Sequence, residues 1–362
     1  MKKKVFRPEQ LNTSFEILRF LVAILIAFGI SLIIISFSTA EPVKTIANLF
    51  IGPFTSVRRF STVLEKMIPL TFAGLAVCVM FKANQFNLAA EGALFFGALI
   101  SAMVAIYMPG PSLLVKMTAI LAAGFAGAMV TVIPGILKIK WKCSEMVVSL
   151  MLNYVVLYFS TFLFNQTIKD PNSAYKTSFP FQDGVTLQNL IPRTRLHSGI
   201  FLLILFIVLT YTFIYKTKWG YQLRITGSNI KFAQCSGIKV TAIILLSQLL
   251  GGMIAGVGGG TEMLGIYNRF QWSSLPGYGF DGVVINILAR ENPAFIPFAA
   301  FFVSFIRIGA DYMYKQSDVA AEIVAIIEGL IIILVAASAF LATWRHKMTT
   351  RLSKEQIAKE GN

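Results

Sequence analysis

KTKWGYQLRITGSNIKFAQCSGIKV, residues 216–240, is a polar island with five basic residues, three glycines and no acid. It separates two apolar runs, Ile200 to Tyr215 and Val240 to Leu264. Similar runs recur at Ile17 to Phe37, Phe86 to Tyr107, Leu113 to Leu137, Val147 to Phe164, Ala294 to Met313 and Ala320 to Leu341, with shorter ones at Met67 to Met80 and Asp281 to Ala289. A helix needs about 20 apolar residues to cross hydrocarbon. The 362-residue chain is 56% hydrophobic and 14% charged, with a mean hydropathy of +0.70. Folded in water, it would leave too much apolar surface exposed. The expected fold is an all-α polytopic membrane protein of about ten transmembrane segments, some of them broken or half helices, with the N and C termini cytoplasmic.

The formal net charge is +15. The basic residues punctuate the apolar runs and form no stripe or aromatic-interleaved face, which argues against a nucleic-acid partner. With both termini inside, 20 Lys and Arg residues fall on the inner side and 11 on the outer. That bias places the island in the cytoplasm. Residues 1–15 then form a cytoplasmic arm, 16–344 the transmembrane domain and 345–362 a basic cytoplasmic tail. The apolar core of the first run is longer than that of a signal peptide, so an uncleaved first helix is expected. Thr39 to Lys66 and residues 165–198 read as long outer segments, long enough to receive a partner. Cys78, Cys143 and Cys235 are odd in number and suggest no disulfide framework.

Two interrupted segments, FNLAAEGALFFGAL from Phe86 and GYGFDGVVINILAR from Gly277, each place an acid directly before a glycine: Glu91-Gly92 and Asp281-Gly282. Glycine-broken segments in corresponding halves of a chain point to a central pathway, because irregular backbone at membrane depth must be covered by protein or water. Asn87, Glu91, Gly92, Asn153, Asp281, Gly282 and Asn286 are the candidate pathway residues. The alternative for each acid is a helix cap near an interface, and for Asn153 a tie between helices. Arg307, Asp311 and Glu328 are expected to form a structural ion-pair cluster on a hairpin of the last two helices. Gly252, Gly256 and Gly260 form a small-residue face for close helix packing. The chain has no P-loop, no clustered His and Cys for zinc, and no arrangement for hydrolysis. Transport without catalysis in this polypeptide remains.

Within the island, Ser228 or Asn229 can cap a short helix, with Gly227 turning the chain in and Gly237 turning it out. Gly220, Leu223, Arg224, Gly227, Asn229, Ala233, Gly237 and Ile238 resemble the G-x-x-L-R-x-x-G-x-N-x-x-A-A-x-x-x-G-I loop of permease subunits of bacterial ABC importers for simple sugars and nucleosides. That family is a branch of the ribose and branched-chain amino acid permease superfamily. Gln234 stands where the pattern has its second alanine. FNLAAEG is similar to F-N-I-G-x-E-G, CSEMVVSLMLNYV to N-E-V-I-x-T-I-M-L-N-Y-I, and GYGFDGVVINILARENP to G-x-G-F-x-G-I-A-V-A-L-L-G-x-N-x-P. Ile285-Asn286-Ile287 departs from the small residues usual there.

The resemblance implies a multi-pass protein of the bacterial plasma membrane, carrying nucleosides or simple sugars. The partners it implies are a cytoplasmic ABC ATPase that binds ATP and Mg, a second permease that is a paralogue, a solute-binding protein or lipoprotein outside, and membrane lipid. The coupling element is residues 216–239, with Gly220, Leu223, Arg224, Gly227, Asn229, Ala233 and Gly237 as its ATPase-coupling residues. No cofactor is expected in this chain. The same architecture importing a vitamin such as a flavin stays open. So does a proton-coupled secondary transporter using Glu91, Asp281 or Glu328, or a scaffold that moves no solute.

Overall fold

A computed structural model describes residues 41–317, together with 29–30, 32–33, 35–36, 319–320 and 322–333. Among the described residues there is no strand beyond two isolated bridges, and seven helices are long and apolar enough to cross a membrane. The chain is a polytopic α-helical membrane protein. Its first and last expected crossings lie wholly or partly outside the described residues. The Asp281 to Ala289 run is an 11-residue apolar helix, too short to span alone.

The helices are α1 (Pro42–Ile51), α2 (Val57–Lys82), α3 (Ala90–Tyr107), α4 (Ser112–Trp141), α5 (Glu145–Leu163), α6 (Gly199–Lys216), α7 (Lys218–Ser228), α8 (Ile230–Cys235), α9 (Val240–Ile266), α10 (Tyr278–Leu288) and α11 (Ile296–Gln316). Two compact units are distinguished, residues 56–304 and a smaller one of 1–55 with 305–362. In the smaller unit Arg307 Nε lies 2.7 Å from Glu328 Oε1, which joins two of the three expected partners. Asp311 is exposed.

In the larger unit α9 is the hub, packed against α2, α3 and α4. Its glycine face explains why. A Cβ on Gly256 would collide with the Ala123 backbone, one on Gly252 with Thr131 and Gly127, and one on Gly260 would lie 2.8 Å from Ala123 Cβ. Small residues alone permit that approach, and close packing is what holds helices together in lipid. Polar ties reinforce it: Thr131 Oγ1 donates to Gln248 O at 2.7 Å, and Asn87 Nδ2 donates to Gln248 Oε1 at 2.5 Å.

One expectation fails at the start of α2. Residues up to Lys66 read as outer loop because Arg58, Arg59, Glu65 and Lys66 interrupt the apolar pattern. The helix instead starts at Val57, where Ser56 Oγ accepts from Arg59 N at 3.3 Å. Glu65 and Lys66 therefore belong to a candidate membrane span.

The 165–198 segment lies over the end of the unit opposite the island. It is tied to the chain leaving α9 by backbone bonds from Ser178 N to Phe270 O and Phe181 N to Asn268 O, both 2.9 Å, and Leu187 N to Leu264 O, 2.8 Å. An ion pair of 2.9 Å joins Arg269 to Asp170. Residues 267–277 then run back as irregular backbone, with Phe270 and Trp272 packed on Phe95 at ring separations of 6.0 and 5.9 Å, to reach α10.

Candidate functional site

The first turn of α3 and the start of α10 meet. Glu91, fully buried, accepts hydrogen bonds from Gly277 N at 2.6 Å and from Gly279 N. A carboxylate on two free amides of a helix N-terminus satisfies both donors and meets the favourable end of the helix dipole. The cap is thus supplied across the fold. Asp281, in the first turn of the same helix, is half-buried. Gly277 supports the geometry with φ +86°, a conformation glycine adopts without strain. A Cβ on Gly279 would stand 2.5 Å from Glu91 Cα.

The irregular residues 84–89 are held by side chains from other helices. Glu145 Oε1 accepts from Phe86 N at 2.7 Å, while Lys138 Nζ bridges Glu145 Oε2 and Gln85 Oε1, both at 2.8 Å. Asn153 Oδ1 accepts from Gly92 N at 2.9 Å and its Nδ2 donates to Leu88 O at 3.0 Å. Asn87 Nδ2 also donates to Thr131 O at 3.0 Å, and its Oδ1 caps Ala89 N at 2.8 Å. Every donor and acceptor of a broken helix needs such a partner in lipid. Asn87, Gly92 and Asn153 are therefore brought together as the scaffold of the break. Gly282 packs on the Ala73 backbone, where a Cβ would stand 2.7 Å from its carbonyl carbon. Asn286 on α10 is fully buried, and neither amide atom finds a hydrogen-bond partner among the described residues.

Sequence reasoning missed a second polar group. Tyr278 OH donates to Glu262 Oε1 at 3.2 Å, and Lys66 Nζ donates to Tyr278 OH at 3.3 Å. Glu65 and Glu262 are 1% and 0% exposed, and each has an Oε2 with no hydrogen-bond partner among the described residues. The signal was present in GGGTEMLG, where an acid interrupts the end of an apolar run. Intramembrane acids of this kind mark functional positions.

His197, just before α6, is buried against the same end of α9. Its Nδ1 accepts from Gly199 N at 3.2 Å, and a Cβ on Gly265 would stand 2.5 Å from its ring. Burial pushes the imidazole pKa down from 6.5 to about 4. The folded state holds it neutral while the unfolded chain takes a proton below 6.5, so stability is intact above 6.5 and falls as pH drops toward 4. The full loss is on the order of 3 kcal/mol. Thermal melts at pH 7 and pH 4.5 should show this loss in the native chain and a smaller one in His197→Gln; equal losses would contradict it.

At the other end, the island folds as two helices. Thr217 Oγ1 caps α7 on Gly220 N at 3.0 Å, and Asn229 Oδ1 caps α8 on Phe232 N at 3.0 Å. Gly237 turns the chain out with φ +77°. Gly227 is no turn, however: it sits within α7, where a Cβ would collide with Lys82 O. Glycine is required there for contact with the end of α2. Leu223 and Ala233 are fully buried and pin the two helices. Lys231, Phe232, Gln234 and Cys235 stand exposed around Ala233. Arg224 lies over the Tyr215 ring at 5.3 Å, with its Nε buried and unpartnered among the described residues. It borders a groove of ≈ 670 Å³ lined also by Lys216, Lys218, Tyr221 and Phe232, with no acid.

A helical bundle with two broken segments meeting inside it and an acid-free element at one end defines a membrane transport component. The profile of the family described as "Branched-chain amino acid transport system / permease component" matches residues 59–336, and the chain belongs to that family. It is 30% identical to a glucose ABC transporter permease protein of Haloferax volcanii, over 90% of this chain and 87% of that one. It is 28% identical to a guanosine ABC transporter permease protein of Bacillus subtilis, over 88% and 92%. A nucleoside ABC transporter permease protein of Lactococcus lactis is also 28% identical, over 97% and 99%.

Proposed function

We propose that the chain is the membrane-spanning permease subunit of an ATP-binding-cassette importer in the bacterial plasma membrane, forming the pathway for nucleosides or simple sugars. In this reading ten segments cross the bilayer, both termini are cytoplasmic, and α7 and α8 are the coupling element gripped by a separate ATPase that binds ATP and Mg. A paralogous permease completes the pathway, and an extracellular binding protein delivers the solute. The observation that carries the proposal is the α8 segment, fixed through Ala233 and otherwise exposed beside a groove lined by Lys216, Lys218 and Arg224. A polar, acid-free protrusion at one end of a membrane bundle presents docking chemistry to an acidic partner. Arg224, with Gly220, Leu223, Gly227, Asn229, Ala233 and Gly237, forms the coupling set. The Glu91 junction, with Asn87, Gly92, Asn153, Asp281, Gly282 and Asn286, forms the wall of the pathway.

The test is to purify the assembly from its native membrane, identify by mass spectrometry the small molecule held by its extracellular subunit, and reconstitute it in vesicles. A nucleoside or sugar taken up only with ATP supports the reading. Uptake by this chain with no ATPase present, or Arg224 labelled from outside the cell, overturns it.

A further inference from the structure

Buried Glu65 on α2, Glu262 on α9 and Tyr278 on α10, with half-buried Lys66 on α2, form one polar group where the irregular 267–277 chain turns into α10. Glu262 is anchored through Oε1 by the Tyr278 hydroxyl, 3.2 Å away, and that hydroxyl is in turn held by Lys66 at 3.3 Å. The anchoring fixes one oxygen of Glu262 and leaves Oε2 free. Glu65 Oε2 is also buried without a partner among the described residues.

A buried acceptor left unmade costs about 1–3 kcal/mol, and more when it is charged. If these residues served packing alone, apolar side chains of similar volume would serve better. The two free oxygens, presented from two different helices, instead ask for hydrogen-bond donors. Two carboxyl groups side by side accept hydrogen bonds through their free oxygens and disfavour an anionic ligand. A neutral molecule with hydroxyl donors on adjacent atoms fits: one hydroxyl to each acid, with a further N–H of Lys66 available to a ring oxygen. Relatives named for glucose, guanosine and nucleosides have in common a sugar ring and no base.

We propose that Glu65 and Glu262, positioned by Tyr278 and Lys66, form a polyol-reading site that binds the vicinal hydroxyls of the sugar of the transported solute. The site is closed in this structure and is reached when α9 and α10 part. The inference rests on the importer reading and adds that the permease itself, not only its delivery protein, recognises the sugar.

The experiment uses the complete reconstituted assembly and compares uptake of the solute with that of its deoxy analogue, guanosine against 2′-deoxyguanosine or glucose against 2-deoxyglucose. The ratio is read within one preparation, so that differences in yield cancel. The delivery protein is the same throughout, so a change of ratio reports this chain. The native assembly should favour the hydroxylated solute by about tenfold or more, since a site built to bond a hydroxyl rejects the analogue lacking it. Glu262→Gln should bring the ratio toward one, and Glu65→Gln and Tyr278→Phe provide the same readout should Glu262→Gln not assemble. A native ratio near one overturns the proposal, as does an unchanged ratio in the variants that assemble, or competition by free guanine as strong as by guanosine. None of those outcomes touches ATP dependence, so the importer reading would survive them; absence of ATP-driven uptake in the native assembly would remove that reading first.

Discussion

Arg224→Glu inserts into the membrane and folds but loses ATP-driven uptake, by about a hundredfold. Its backbone lies in α7, where Leu223 and Gly227 supply the contacts that hold the helix, so the substitution spares the fold. The guanidinium is held on Tyr215 at 5.3 Å and faces a groove lined by Lys216 and Lys218. Reversing its sign places a carboxylate in a groove that otherwise carries only basic charge, and under the proposed coupling role the loss of such a charged contact costs on the order of 2–5 kcal/mol. The measurement is uptake per ATP hydrolysed in vesicles, beside the yield of chain in the membrane. Arg224→Lys should recover part of the loss, because charge returns without the planar fork. Normal uptake by Arg224→Glu would show that the island is not the coupling element.

The second large effect falls on folding. Glu91→Ala strips the cap from α10 and leaves the buried Gly279 amide and the half-buried Gly277 amide without acceptors, at about 1–3 kcal/mol for the buried one and less for the other. Against a typical total of 5–15 kcal/mol, this removes a large share of stability, and most of the chain should be lost from detergent extracts. Glu91→Gln keeps one carbonyl acceptor and should fall between. A melting curve of Glu91→Ala that overlays the native one would remove the cap from the account. A Glu91→Gln chain with native stability but no uptake would instead assign Glu91 a direct part in transport.

Much of the bundle is legible in the sequence because lipid simplifies the rules. Apolar runs of sufficient length must be helices, and the glycine face of α9 must pack closely. Asn229 and Gly237 could be read because caps and left-handed turns depend on one or two residues. The extent of α2 could not, since Arg58, Arg59, Glu65 and Lys66 break an apolar pattern that the local cap at Ser56 restores. The role of Gly227 was hidden for a different reason: the atom that demands it belongs to Lys82, far away along the chain. The same holds for the partner of Glu91. Sequence marks an acid beside a glycine in each half, but which amides the acid meets is decided by packing. Glu65 and Glu262 became visible as a group only once α2 and α9 lay side by side.

The bond from Glu91 to the first turn of α10 constrains how the molecule can work. The tip of the short helix α10 hangs from a side chain in the first turn of α3, so neither can swing alone without breaking two hydrogen bonds. Any movement that keeps these bonds carries the starts of α3 and α10 together, with irregular backbone at 84–89 and 267–277 on either side to bend.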